Sequence, residues 1–94
     1  MSDRPPVPFL LPAELDLAAA DSLCRALNAA LAEGGITAEG AQVERVSTPC
    51  LQVLAAAATT ARMRRQPFRL TNPSDVLRSA IADLGLHQVL SFED

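Results

Sequence analysis

From Pro49 to Met63 the chain reads P-C-L-Q-V-L-A-A-A-A-T-T-A-R-M, and only Gln52, Thr59, Thr60 and Arg62 are polar. Alanine is the best helix former and leaves little side chain to keep a neighbour away. The segment therefore predicts a helix buried on most sides, with Ala55, Ala56, Ala57 and Ala58 allowing close approach. It needs layered neighbours, so the rest of the chain must supply them.

The flanking segments supply strands and two further helices. Val7, Phe9 and Leu11 alternate with Pro8 and Leu10, and the prolines confine that strand to an edge or a bulge. A short second strand is expected over Glu14 to Leu17. Ala20, Leu23, Cys24, Leu27, Ala30 and Leu31 then fall at helical spacing, so a helix is expected from Ala18 to Leu31, stopped by Gly34-Gly35.

Ile36 to Ala38 and Val43 to Val46 read as strand pieces divided by Glu39-Gly40. Phe68 and Leu70 alternate with Arg69 in a further strand. Asn72-Pro73-Ser74-Asp75 opens the last helix, with Asn72 as the expected cap and Pro73 at the first helical position. Val76, Leu77, Ala80, Ile81 and Leu84 form its inner stripe. Gly85 is the expected left-handed stop with Leu86 packing back, and a short strand near Val89-Leu90 closes the chain. Strands alternating with helices predict a mixed sheet with helices packed on it.

Composition removes several classes of function. The net charge is −3, all eight basic residues are Arg, and there is neither Trp nor Tyr. No basic stripe and no stacking platform exist for nucleic acid. No run approaches the length of a membrane span, and the start M-S-D-R-P-P-V-P lacks the form of a signal peptide, so a cytoplasmic chain without membrane insertion is expected. One domain over 1–94 is expected, with residues 1–6 a loose tail. Cys24 and Cys50 lack CxxC spacing and are expected to be reduced. No Cys/His/Asp cluster proposes a metal, and no cofactor is expected.

Four motifs now form a pattern in order: L-L-P-A-E-L-D-L before the first helix, V-E-R-V-S-T-P-C-L-Q-V-L, P-F-R-L-T-N-P-S, and L-G-L-H-Q-V-L. Together they resemble the opening, the strand-to-helix junction, the later strand and turn, and the closing segment of STAS domains, the family of bacterial anti-anti-sigma factors. The resemblance spans about residues 9 to 90. It implies a STAS fold, a four- or five-stranded mixed sheet with three or more helices packed on it, serving signal transduction by protein docking and not by catalysis.

In that family a Ser or Thr at the junction is phosphorylated by a partner kinase, often itself an anti-sigma factor. Aligned on the motif, Thr48 falls at the acceptor position and Ser47 replaces the preceding Asp. Pro49 replaces the second Ser, and Cys50 the Gly. The partner implied is an anti-sigma factor or histidine-kinase-like ATPase. A chemotaxis kinase is implied instead by the similarity of L-Q-V-L-A-A-A and Q-P-F-R to a chemotaxis-associated subgroup. The alternative is a constitutive scaffold or accessory subunit of a chemosensory or lipid-transport ABC complex, never phosphorylated.

The candidate phosphoacceptors are thus Thr48 and Ser47, and the candidate partner-binding residues are Glu14, Asp16, Ser47, Thr48, Pro49, Cys50 and Gln52. Each also has a plainer reading. Thr48 suffices as a helix cap with Pro49 following. Cys50 is either a small buried hydrophobe or, at a helix start, a reactive thiol. Glu14 and Asp16 lie on one face of a strand and are explained by a solvated edge. Arg62, Arg64 and Arg65 form a solvated basic helix end, and His87 is a surface residue.

Overall fold

The computed structural model describes residues 9–90 and, as backbone, 92–93. The expected tail over 1–6 and Val7 of the first strand lie outside the described residues. The elements are β1 (Phe9–Leu10), β2 (Glu14–Leu15), a 3-10 turn (Leu17–Ala19), α1 (Ala20–Ala32), β3 (Ile36–Glu39), β4 (Arg45–Val46), α2 (Thr48–Met63), β5 (Phe68–Thr71), α3 (Asp75–Asp83) and β6 (Phe92–Glu93).

The sheet runs β1-β3-β5-β6, and β2 and β4 form a separate two-stranded ribbon. All described pairings are parallel, so the expected mixture of directions is replaced by one direction. Each main-sheet strand is joined to the next through a helix, and a helical crossover returns the chain parallel to where it left.

Among the described residues, eighteen buried apolar side chains form one core, with Leu11, Ile36, Ala38 and Leu70 from the sheet side and Leu23, Leu27 and Leu31 from α1. Cys50, Leu51, Leu54, Ala57, Ala58 and Ala61 come from α2, and Leu77 and Ile81 from α3. Alanine on α2 lets α1 and α2 pack together, as the segment's composition required.

Several boundaries differ from expectation for identifiable reasons. The second strand ends at Leu15, because the Asp16 carboxylate accepts the Ala19 backbone N–H at 3.0 Å and caps a 3-10 turn, which also delays α1 to Ala20. Ile36–Glu39 and Arg45–Val46 join different sheets. Between them Gly40 approaches α3 so closely that an added Cβ would lie 2.8 Å from Leu77 Cδ2.

The last helix is capped by Ser74, whose hydroxyl accepts the Leu77 N–H at 3.1 Å. The expected cap, Asn72, instead takes a left-handed φ of 50° at the end of β5. Pro73 is thereby buried beside Gly40 and does not sit at the first helical position. The buried face is narrower than the expected stripe: Val76 and Leu84 are exposed (44% and 45%) while Leu77 and Ile81 carry the contact. Gly85 has φ 67° and Leu86 N–H returns to Ile81 O at 2.9 Å, the expected helix stop. Val89-Leu90 is a turn segment, and the closing strand lies at Phe92–Glu93.

Candidate functional site

The 46–54 segment lies where β4 becomes α2. Ser47, with extended φ −90° and ψ 157°, is the cap of α2, and its Oγ accepts the Cys50 N–H at 3.4 Å. The expected cap, Thr48, is instead the first helical residue, because the hydroxyl one position earlier stands over the free N–H groups of the first turn. Thr48 is consequently exposed, whereas Ser47 is half-buried. Pro49 follows inside the first turn, where its missing N–H has no helical partner to lose.

The ribbon brings a second segment to this junction. Glu14 pairs with Arg45 and Leu15 with Val46, and Ser47 N–H continues the ladder to Leu15 O at 2.7 Å. The next residue, Asp16, therefore arrives beside the start of α2, and the Cys50 thiol donates to its carbonyl at 3.2 Å. Glu14 and Asp16 are exposed. The structure thus gathers Glu14, Asp16, Ser47, Thr48 and Pro49 at one end of the domain.

Cys50 is the exception among the expected contact residues. It is 0% exposed and faces the core, so it is withdrawn from any docking surface and its reading as a buried small residue holds. Cys24 is the exposed thiol, and both cysteines are free. His87 and the arginines 62, 64 and 65 lie at the surface.

Beyond Gln52, α2 is less enclosed than its composition suggested. Thr48, Gln52, Ala56, Thr59 and Met63 are all exposed, and their spacing of four, four, three and four places them in one stripe along the helix. None is charged. Beside it runs an open groove of about 370 Å³ between α1 and α2, whose walls include Cys24 and Asn28 on one side and Pro49, Gln52, Ala56 and Thr60 on the other. Composition concealed this stripe, because exposed Ala56 reads like its buried neighbours. The four-residue spacing of Thr48, Gln52 and Ala56, continued by Thr59 and Met63, is the signal that carries it.

No helix is long and apolar enough to cross a membrane among the described residues. The sequence profile of the family described as "Mlab, STAS domain" matches residues 11–91. No curated protein matches the chain. Among solved structures, the NMR structure of the protein TM1081 superimposes with a TM-score of 0.76 at 17% identity, covering 90% of this chain and 70% of that one. That likeness is one of fold.

Proposed function

The chain belongs to the STAS domain family, and we propose that it docks on a kinase-like or anti-sigma-like protein through the head of α2 and the neutral stripe below it. Domains of this family are regulatory interaction modules of the anti-sigma antagonist type and are generally non-catalytic. The observation that carries the reading is the position of Thr48, an exposed hydroxyl at the first residue of α2 and at the top of the stripe Gln52, Ala56, Thr59 and Met63. A partner covering this stripe desolvates no charged side chain on it, which keeps the penalty for association low.

Thr48 is also the better of the two candidate phosphoacceptors. Ser47 Oγ is engaged by the Cys50 N–H and half-buried, while Thr48 is open to a kinase. A phosphate brings about −1.5 to −2 charges at pH 7. At a helix N-terminus that charge is tolerated within the domain, yet it would head the neutral stripe, beside the exposed Glu14 and Asp16 carboxylates, and weaken docking.

A second reading is favoured by the junction's own closure. With Ser47 already capping and Pro49 stiffening the first turn, the surface is formed without modification, as a constitutive accessory subunit of a chemosensory or lipid-transport complex requires. The test is calorimetric titration against histidine-kinase-like, chemotaxis-kinase and transporter ATPases from the same genome, followed by mass spectrometry after incubation with ATP. Binding with phospho-Thr48 supports the switch, binding without it supports the accessory subunit, and absence of both overturns the docking reading.

A further inference from the structure

We infer that Cys50 is a positioning residue, whose buried thiol ties the 14–19 segment to the first turn of α2 and so makes the two halves of the junction one rigid surface. Its role in docking rests on the function proposed above; the tie itself does not.

Backbone bonds already join these segments: the Glu44 and Arg45 N–H groups donate to Ala13 O at 2.7 and 3.1 Å. The β2–β4 ribbon has two paired residues on each strand, and its Leu15 is anchored in the core. Its ladder ends with Ser47 N–H on Leu15 O at 2.7 Å. One residue further along, the Asp16 carbonyl accepts two donors: the Ala19 N–H at 3.0 Å within the 3-10 turn, and the Cys50 thiol at 3.2 Å from the other chain segment. The Asp16 carboxylate takes the same Ala19 N–H at 3.0 Å.

On the α2 side, Cys50 N–H is held by Ser47 Oγ. The bonds therefore close a circuit: Leu15 to Ser47, Ser47 to Cys50, Cys50 to Asp16, and Asp16 to Ala19, where α1 begins. Cys50 and Leu15 are the fully buried members of this circuit, both at 0% exposure, and Cys50 is the one that bonds through its side chain. A thiol is a weak donor, but enclosed in the core it has no solvent to compete for its bond to the Asp16 carbonyl. Glu14 and Asp16 lie on one segment and Ser47 and Thr48 on the other, and this side chain extends the ribbon's backbone bonds into the first turn of α2.

The experiment is native-state amide hydrogen exchange by NMR on the chain alone, in a Cys24→Ser background, comparing Cys50, Cys50→Ala and Cys50→Ser. Cys50→Ala is expected to speed exchange at Ala19, Ser47 and Cys50's position roughly fivefold or more, while Gly40 and Ile36, bonded within the main sheet, stay as they were. Cys50→Ser, which keeps a donor, is expected to restore slow exchange at all three. A uniform rise across all five amides would assign Cys50 to global stability only and overturn the proposal. No change at Ala19 and Ser47, or failure of Ser to rescue, would also overturn it. Since no partner enters the measurement, its failure is separable from a failure of docking.

Discussion

Ser47 and Cys50 are joined by a bond of 3.4 Å from the Cys50 N–H to the Ser47 hydroxyl, and this single contact decides which hydroxyl at the junction is structural and which is free. Ser47→Ala removes the cap and is expected to lower stability by ~1 kcal/mol. Thr48→Ala, at an exposed first helical position, is expected to change it by less than about 0.5 kcal/mol. Urea unfolding of the two variants checks the order. Equal losses would return the capping role to Thr48.

The end of α2 stores a correctable strain. Arg65 takes φ 59° after the helix, and Gln66 N–H returns to Ala61 O at 2.8 Å in the manner of a glycine-terminated helix. A side chain in the left-handed region is unfavourable by roughly 1–2 kcal/mol. Arg65→Gly is expected to raise the unfolding midpoint, by an amount worth about 1 kcal/mol after the added chain entropy of glycine is subtracted. Thermal unfolding followed by circular dichroism reads it directly.

Gly40 has the opposite expectation. Its N–H donates to Thr71 O at 3.0 Å and its carbonyl accepts the Ser74 N–H at 2.9 Å, so its backbone is fixed. A Cβ there would meet Leu77 Cδ2 at 2.8 Å and Pro73 Cα at 3.2 Å. Gly40→Ala is expected to destabilise by ~1–3 kcal/mol through overpacking, again measured by urea unfolding with an unchanged slope.

The two thiols should separate by reactivity. Cys24 is exposed and Cys50 is enclosed, and only an accessible thiol meets a reagent. Titration of the folded chain with an aromatic disulfide is expected to consume one equivalent promptly and the second only on unfolding. Prompt consumption of both would reopen the reading of Cys50 as a reactive thiol.

Much of this architecture was legible because its determinants are local. The helical spacing from Ala20 to Leu31, the glycine stop at Gly85 and the alternation of Phe68 with Leu70 follow from period and backbone freedom alone. The four ordered motifs placed the family, which the match over residues 11–91 establishes. What was not legible depended on partners distant in the chain. Ser47 and Thr48 are equally good caps in isolation, as Asn72 and Ser74 are, and in α3 the burial of Pro73 beside Gly40 settles the choice. The pairing of β2 with β4, which brings Asp16 to Cys50, is a contact across 34 residues that no periodicity announces. The exposed side of α2 was hidden because alanine carries no signature of facing water.

The central claim is that the neutral stripe headed by Thr48 is where a protein partner sits. Ala56→Arg places a long charged side chain in the middle of that stripe at an exposed helical position, while Ser79→Arg does the same on the exposed side of α3. With the ATPase partner identified by titration, Ala56→Arg should weaken binding by about 2 kcal/mol or more, roughly thirtyfold, and Ser79→Arg should leave it within about threefold. Unimpaired binding by a folded Ala56→Arg, with binding lost in Ser79→Arg, would contradict the account and move the interface to α3.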